Sequence, residues 1–338
     1  MPNRWRRRPE GSNWGDFGED DQLGSLNHIS AACVRDAAAE IRTGRRFCLS
    51  LPLDYPGGNA LAPHRLPPVI APTERHGRPY FNYCFRHEGA QYRDIGCDDR
   101  VTLSTQYSTQ WDSLAHIGQE FDLQDDGRPQ LCYYNGYLGG RDLLPPEERT
   151  DGYVMPLGID GFAAQPIQGR AVLVDIERHF GRTCRDLGHA DLMRIVAADR
   201  LEIRRGDILC LHTGFAEEVL AMGRHPDPAR LHGICAALDG RDPDLLAWIS
   251  DSGIAAIAAD NYAVERVGLP PSPGGEPAFV PLHCHCLFKR GLPLGELWFL
   301  SDLARWLRAA GRSAFFLTAP PLRLPGAVGS PVTPVATV

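Results

Sequence analysis

No run of apolar residues in this chain of 338 approaches the ~18 that a membrane-spanning helix needs, so no membrane partner is expected. Positive charge is not in excess: 35 Lys and Arg stand against 42 Asp and Glu, a formal net charge of −7. A nucleic-acid-binding surface is normally basic, and that class is set aside. Cysteine is too sparse for a disulfide scaffold. The ten present form no CxxC knuckle, and only Cys284 and Cys286 lie close together. Reduced thiols packed as small hydrophobes, in a cytoplasmic protein, are expected. A GxGxxG turn, a Walker loop and a GxSxG elbow are all missing. Their absence removes the sequence basis for dinucleotide binding, P-loop phosphate chemistry and an esterase serine. The acidic, glycine-containing stretch 14–27, WGDFGEDDQLGSLN, lacks EF-hand spacing. The basic start, with Arg4 and Arg6 to Arg8, has no apolar stretch behind it and reads as a salt-bridging arm, not a secretory signal.

An apolar share of 43% is enough for a packed core, and the length suits one large α/β domain. There is no internal repeat and no linker that divides the chain. Residues 1–28 read as an ordered N-terminal extension and 29–338 as the domain proper. Ser30 is placed to cap a first helix, AACVRDAAAEIRT, with Gly44 as its stop. Residues 47–53 read as a strand, and 54–80, rich in Pro and Gly, as a long loop of the kind that is functional or interfacial. From residue 170 the pattern alternates. Strands are predicted at 171–177, 207–215, 254–260 and 313–322, and helices at 189–200, 242–253 and 301–311, the last with Ser301 as cap and Gly311 as stop. Alternation of this kind implies a compact α/β fold with a mixed central sheet.

The candidate chemistry is concentrated in residues 106–116, QYSTQWDSLAH. Gln106, Gln110, Asp112 and His116 fall at even positions and would share one face of a strand. If the chain turns helical instead, Asp112 and His116 remain neighbours at i, i+4. A solvated sheet face is the bland alternative, but Trp111, Leu114 and Ala115 point to a half-buried segment, where a carboxylate needs a metal, a partner or a proton. A second candidate is Asp260–Asn261, at the end of an apolar strand, where ligands of open α/β sheets gather; a turn cap is the competing role. A third is PLHCHCLFKRGLPLGELW, which brings His283, His285 and Glu296 close in sequence, ligand types for a metal or a structural His–Glu pair. His179 and His212 read as core or rim histidines.

Four stretches together resemble the cyclase family of metal-dependent hydrolases: residues 106–116, AADNYAVE (258–265), PLHCHCLFKRGLPLGELW, and the C-terminal APPLRLPGAVGSPVTPVA. The family includes bacterial kynurenine formamidase, isatin hydrolase and a trans-dienelactone hydrolase. The likeness runs from about Trp14 to Val335, and WGDFGEDDQLGSLN looks like the extension of the family's longer members. The family's HxGTHxDxPxH motif falls with its metal-binding histidines on Gln106 and Gln110, its Gly on Ser108, its Thr on Thr109, its Asp on Asp112, its Pro on Leu114 and its last His, the base, on His116. Both histidine ligands are thus glutamines here. The family's C-terminal Glu matches Glu296, and its accompanying His falls by distance on Cys284, with His283 and His285 on either side.

The resemblance implies a hydrolase that opens a cyclic amide, lactone or aryl amide. Gln106, Gln110 and Asp112, with His283 or His285 and Glu296, would hold one or two divalent ions. Zinc should bind less tightly to amide oxygens than to imidazoles, which favours manganese, magnesium or calcium; manganese or zinc is the expected cofactor, or no metal at all, with the amides bonding substrate oxygens. His116 would move the proton, helped by Asp112. Asp260 and Asn261 would line the site, and Trp14, Trp111 and Tyr134 would stack on a flat substrate. The partners expected are a small molecule and further copies of the chain, as a homodimer or homotetramer, with the 54–80 loop at the contact. Two alternatives stay open: a metal-independent cyclase or dehydratase, and a non-catalytic binder.

Overall fold

A computed structural model describes residues 4–150, 154–270 and 278–338. Its centre is a nine-stranded mixed sheet built, in chain order, from β1 (Arg46–Cys48), β2 (Gln110–Asp112), β3 (Gln168–Asp175), β4 (Ile208–His212), β5 (Ala256–Ala259), β6 (Leu294–Glu296), β7 (Ala314–Thr318), β8 (Gly329–Pro331) and β9 (Val335–Thr337). Their spatial order is β1-β9-β7-β3-β4-β5-β6-β2-β8. The run β3 to β6 is parallel and the flanking pairs are antiparallel. Parallel strands covered on both faces read as continuous apolar runs. β4 and β5 are accordingly buried throughout.

Helices cover the sheet where their stop signals stand. Ser30 caps α1 (Ala31–Ala37), its side chain accepting from the Cys33 N–H. The helix is shorter than its Ala-rich sequence suggests: it tightens into a 3-10 turn over Ala38–Glu40 and ends at Ile41. α2 spans His189–Ala198, α3 spans Pro243–Ser252 between an Asp242 cap and a left-handed Gly253, and α4 spans Ser301–Ala310 before a left-handed Gly311. Ser301 is not a cap. Its hydroxyl lies 3.1 Å from His212 Nε2, inside a buried network in which His212 Nδ1 meets Asp175 (2.9 Å) and Asp175 receives Arg308 (2.7 Å).

Two expectations are corrected. Residues 106–116 do not form one extended strand, since only Gln110–Asp112 pair in the sheet. Residues 54–80 are not all irregular either. Val69–Pro72 pairs with Asp99–Thr102, and Glu74–Arg75 with Arg78–Pro79, as a projecting arm.

The N-terminal segment is fixed to the domain. Gly24 and Gly291 pass so closely that a Cβ on Gly24 would lie 2.0 Å from the Gly291 carbonyl oxygen. Both take φ values near +55°, at 56° and 55°, which glycine adopts without steric cost. No helix among the described residues is long and apolar enough to cross a membrane.

Candidate metal centre

β2 is inserted between β6 and β8, so its side chains meet residues from the last third of the chain. Gln110 stands opposite Glu296 in register, and its amide donates to Glu296 Oε2 at 2.8 Å. Two residues on, Asp112 projects to the same side, while Trp111 points the other way. The helical turn Pro281–His283 delivers an imidazole to this face, with His283 Nε2 3.2 Å from Glu296 Oε1. One ligand atom each from Asp112, His283 and Glu296 can be chosen so that all lie within 4.8 Å of one another.

The unsatisfied atoms identify what the group lacks. Asp112 is fully buried, and both its carboxylate oxygens have no hydrogen-bond partner among the described residues; the same holds for Gln110 Oε1. A buried charge in that condition must take a proton or a cation. Burial pushes the Asp112 carboxyl up to about 6, with nearby Glu296 adding to the effect and His116 opposing it. The donor set is three oxygens and one nitrogen, arranged around atoms that need a counter-charge, and it fits a divalent ion. The triplet Asp175, Glu177 and His212, in which Glu177 is only half-buried, also clusters. There, however, His212 is bonded at both ring nitrogens and Asp175 is held by Arg308, so it is a closed structural network.

Glu265 completes the centre and was not singled out as a site residue from sequence. Its Oε1 lies 2.7 Å from His283 Nδ1 and accepts the His283 backbone N–H at 2.9 Å, while Oε2 accepts from Leu282 N at 2.9 Å. A carboxylate on Nδ1 fixes the ring and its tautomer, leaving Nε2 directed at Glu296, as second-sphere carboxylates do for ligating histidines. Burial opposes a charge on His283, but the bonds to Glu265 and Glu296 outweigh it and hold the imidazole up to about 10. A cation at Nε2 would replace that proton. The only sequence signal was the position of Glu265 at the end of AADNYAVE.

His116 closes the other side. A turn in which the His116 N–H donates to the Ser113 carbonyl (3.0 Å) swings its ring back over β2. Its Nε2 lies 4.0 Å from Asp112 Oδ1. Burial pushes its pKa down, against the pull of Asp112. Gln106 sits 3.3 Å from His116 Nδ1 through its amide nitrogen, and its amide oxygen accepts from Thr105 Oγ1 at 2.7 Å. The neutral ring therefore carries its proton on Nε2, facing Asp112. Turning the Gln106 amide over would stabilise Nδ1–H and leave Nε2 free to accept a proton, at the cost of the Thr105 bond. The mouth is narrow. Arg65 donates to the Gln106 carbonyl oxygen at 2.8 Å and lies 3.9 Å from Glu296 Oε2. The adjoining cavity, lined by Ala62, Arg65, Gln106, Tyr107, Tyr262 and Leu297, holds about 20 Å³, room for a single water.

The structure thus brings together Gln110, Asp112, His283 and Glu296, with His116 and Gln106 beside them, and it corrects the remaining expectations. Gln106 has both amide atoms engaged and serves His116, not the carboxylate group. His285 turns away to Ser250 Oγ at 2.9 Å. Trp14 is a core residue, its indole N–H donating to the Phe288 carbonyl and its ring set edge-on to Phe288 at 5.2 Å. Trp111 packs on Trp298 at 4.9 Å. Tyr134 is wholly buried, with its hydroxyl on Asp21. Asp260 anchors the turn after β4, accepting from Thr213 N, Thr213 Oγ1 and Gly214 N at 2.8, 2.6 and 2.7 Å. Asn261 caps its own loop through Val264 N at 2.7 Å. The capping role, not substrate contact, describes this pair.

Comparison with known proteins follows the same lines. The Cyclase family model matches residues 47–266. A solved structure described as a novel cyclase shares 32% identity, covers 97% of each chain and superposes with a TM-score of 0.74. Isatin hydrolase A from Labrenzia aggregata, solved with benzyl benzoate, is 13% identical, covers 90% of this chain and 98% of its own, and gives a TM-score of 0.57. Isatin hydrolase A from Ralstonia solanacearum is 14% identical over 91% and 98%, with a TM-score of 0.54. These two show a shared fold. No curated protein matches the chain.

Proposed function

The chain belongs to the cyclase family, and from that premise we propose that it is a metal-dependent hydrolase opening a cyclic amide, a lactone or an aryl amide. One observation carries the reading: a fully buried aspartate, Asp112, whose two oxygens lack a hydrogen-bond partner among the described residues and which clusters with His283 and Glu296, near the unsatisfied oxygen of Gln110. Those four residues would hold the ion. Three oxygen donors and one imidazole suit a hard ion such as manganese better than zinc. A bound divalent ion supplies Lewis-acid polarisation of the scissile carbonyl and lowers the pKa of water.

The protein's own residues do the remainder. His116, neutral because burial depresses its pKa, takes a proton from the attacking water at Nε2 once the Gln106 amide has turned over to hold Nδ1–H, and passes it to the leaving nitrogen or oxygen. Gln106 selects the tautomer on each side of that transfer. Glu265 keeps His283 oriented. Arg65 and the segment 56–65 cover the mouth and limit bulk water.

Metal analysis tests the proposal. Purified protein should carry about one equivalent of divalent metal per chain. Chelation should abolish hydrolysis of a panel of cyclic amides, lactones and aryl amides, and manganese should restore it. Turnover that survives complete chelation would favour the metal-independent cyclase alternative.

The active form would be a homodimer or homotetramer in the cytoplasm. The arm at 66–102 supports this, because Val69, Ile70, Ile95 and Val101 are 62%, 71%, 67% and 50% exposed, and two-stranded sheets are marginal alone in water. Light scattering at micromolar concentration should give a multiple of the chain mass, and Ile70→Asp should reduce it. A wild-type monomer would refute the assembly.

A further inference from the structure

A second cleft, of about 590 Å³, shares no lining residue with the carboxylate centre. It lies between the 3-10 turn Ala38–Glu40, β3, the loop after α2 and the end of α4. Seven arginines and four carboxylates line it, on a chain whose formal net charge is −7. A local excess of positive charge on an acidic protein sets up a field that draws anions.

The pairing inside the cleft is uneven. Arg308 with Asp175 (2.7 Å), Arg204 with Glu202 (2.6 Å) and Arg178 with Asp199 (3.3 Å) each have a carboxylate. Glu40, by contrast, is shared by three guanidiniums: Arg42 at 3.6 Å, Arg170 at 3.2 Å and Arg312 at 3.2 Å. Of these, among the described residues only Arg170 has a second carboxylate, Asp207, at 2.5 Å. Arg200 is exposed and has no ion-pair partner among the described residues. Arg312 Nε and Nη1 are buried without an acceptor among them. Buried donors left in that state are costly. The surplus therefore centres on Arg42, Arg200 and Arg312, whose planar forks match oxyanions in a bidentate manner. The volume is in the range of small-molecule sites.

We propose that this cleft binds a small polyvalent oxyanion, a phosphate or a polycarboxylate, on Arg42, Arg200 and Arg312. The site is separate from the hydrolytic centre, and its occupancy does not depend on metal.

Calorimetric titration of the full-length protein as purified tests it, in two arms, with inorganic phosphate and with succinate, at constant low ionic strength. One saturable site per chain is expected in at least one arm, and the responding arm identifies the source of the oxyanion. Affinity should fall as sodium chloride is raised. Arg42→Ala and Arg200→Ala, both exposed and safe for folding, should each weaken binding about tenfold, the order expected for a lost hydrogen bond between charged groups. Arg312→Gln should abolish binding. Arg128→Ala, on another exposed segment, should bind as wild type does. The proposal is overturned by the absence of saturable binding in both arms up to about 10 mM, the weak end of specific recognition. Binding that Arg42→Ala and Arg200→Ala leave untouched overturns it as well.

Discussion

Asp112→Asn is expected to abolish divalent-metal binding and, with it, hydrolysis. The side chain keeps its shape but loses a buried charge whose oxygens have no hydrogen-bond partner among the described residues. His283 and Glu296 already bond each other at 3.2 Å, and Gln110 contributes only a neutral oxygen, so the remaining set holds a cation poorly. A second readout needs no substrate. The folded-state pKa of Asp112 is raised from 3.8 to about 6. For a raised pKa the contribution to stability is full below the unfolded value and is lost as pH climbs through the folded one. Metal-free wild-type protein should lose stability as pH rises from about 4 to about 6 through this group, and the variant should lack that loss. Above pH 6 manganese should reverse the loss in wild type, by about 2.7 kcal/mol at a hundredfold excess over Kd. It should do nothing for the variant. Denaturant midpoints against pH, with and without manganese, measure both effects. A variant that still gains stability from manganese would show that the ion sits elsewhere.

How far the site could be read from sequence depends on separation along the chain. The alternation after residue 170 was legible because each strand and helix carries its own signals, such as Asp242 and Gly253 around α3. The common face of Gln110 and Asp112 was legible for the same reason, since a period of two is local. The position of β2 was not. It lies between β6 and β8, and only that non-local pairing sets Gln110 against Glu296. Glu265 escaped for a related cause: it acts on a histidine 18 positions later in the chain, and no periodicity marks such a pair. The aromatic residues misled by type. Trp14, Trp111 and Tyr134 suit flat ligands, but each has its polar atom bonded internally, which is how buried indoles and phenols are normally satisfied. Asp260 and Asn261 misled by place. The end of a parallel strand attracts ligands, yet three donors from Thr213 and Gly214 already occupy the Asp260 carboxylate.

His116→Gln is expected to lower kcat by about 10² to 10⁴, the range for losing a general base, while metal stoichiometry stays at the wild-type value. The two readouts separate its role from that of Asp112, because His116 contacts the carboxylate at 4.0 Å without belonging to the ligand group. The wild-type pH profile carries the sign. Burial lowers the His116 pKa from its usual 6.5, so the ring stays neutral to lower pH than a free imidazole. The acid limb of kcat/KM should therefore fall below pH 6.5, and in the variant that limb should be lost. Gln106→Ala should leave metal content unchanged and reduce kcat less severely, since a ring without its amide partner can still adopt the productive tautomer part of the time. If His116→Gln turns over every substrate of the wild-type enzyme at an undiminished rate, the proton passes through another group. Arg65 cannot be that group, because a guanidinium does not give up its proton in this pH range. The carboxylates Asp112 and Glu296 would then be the ones to test, by Glu296→Gln at a fixed metal load.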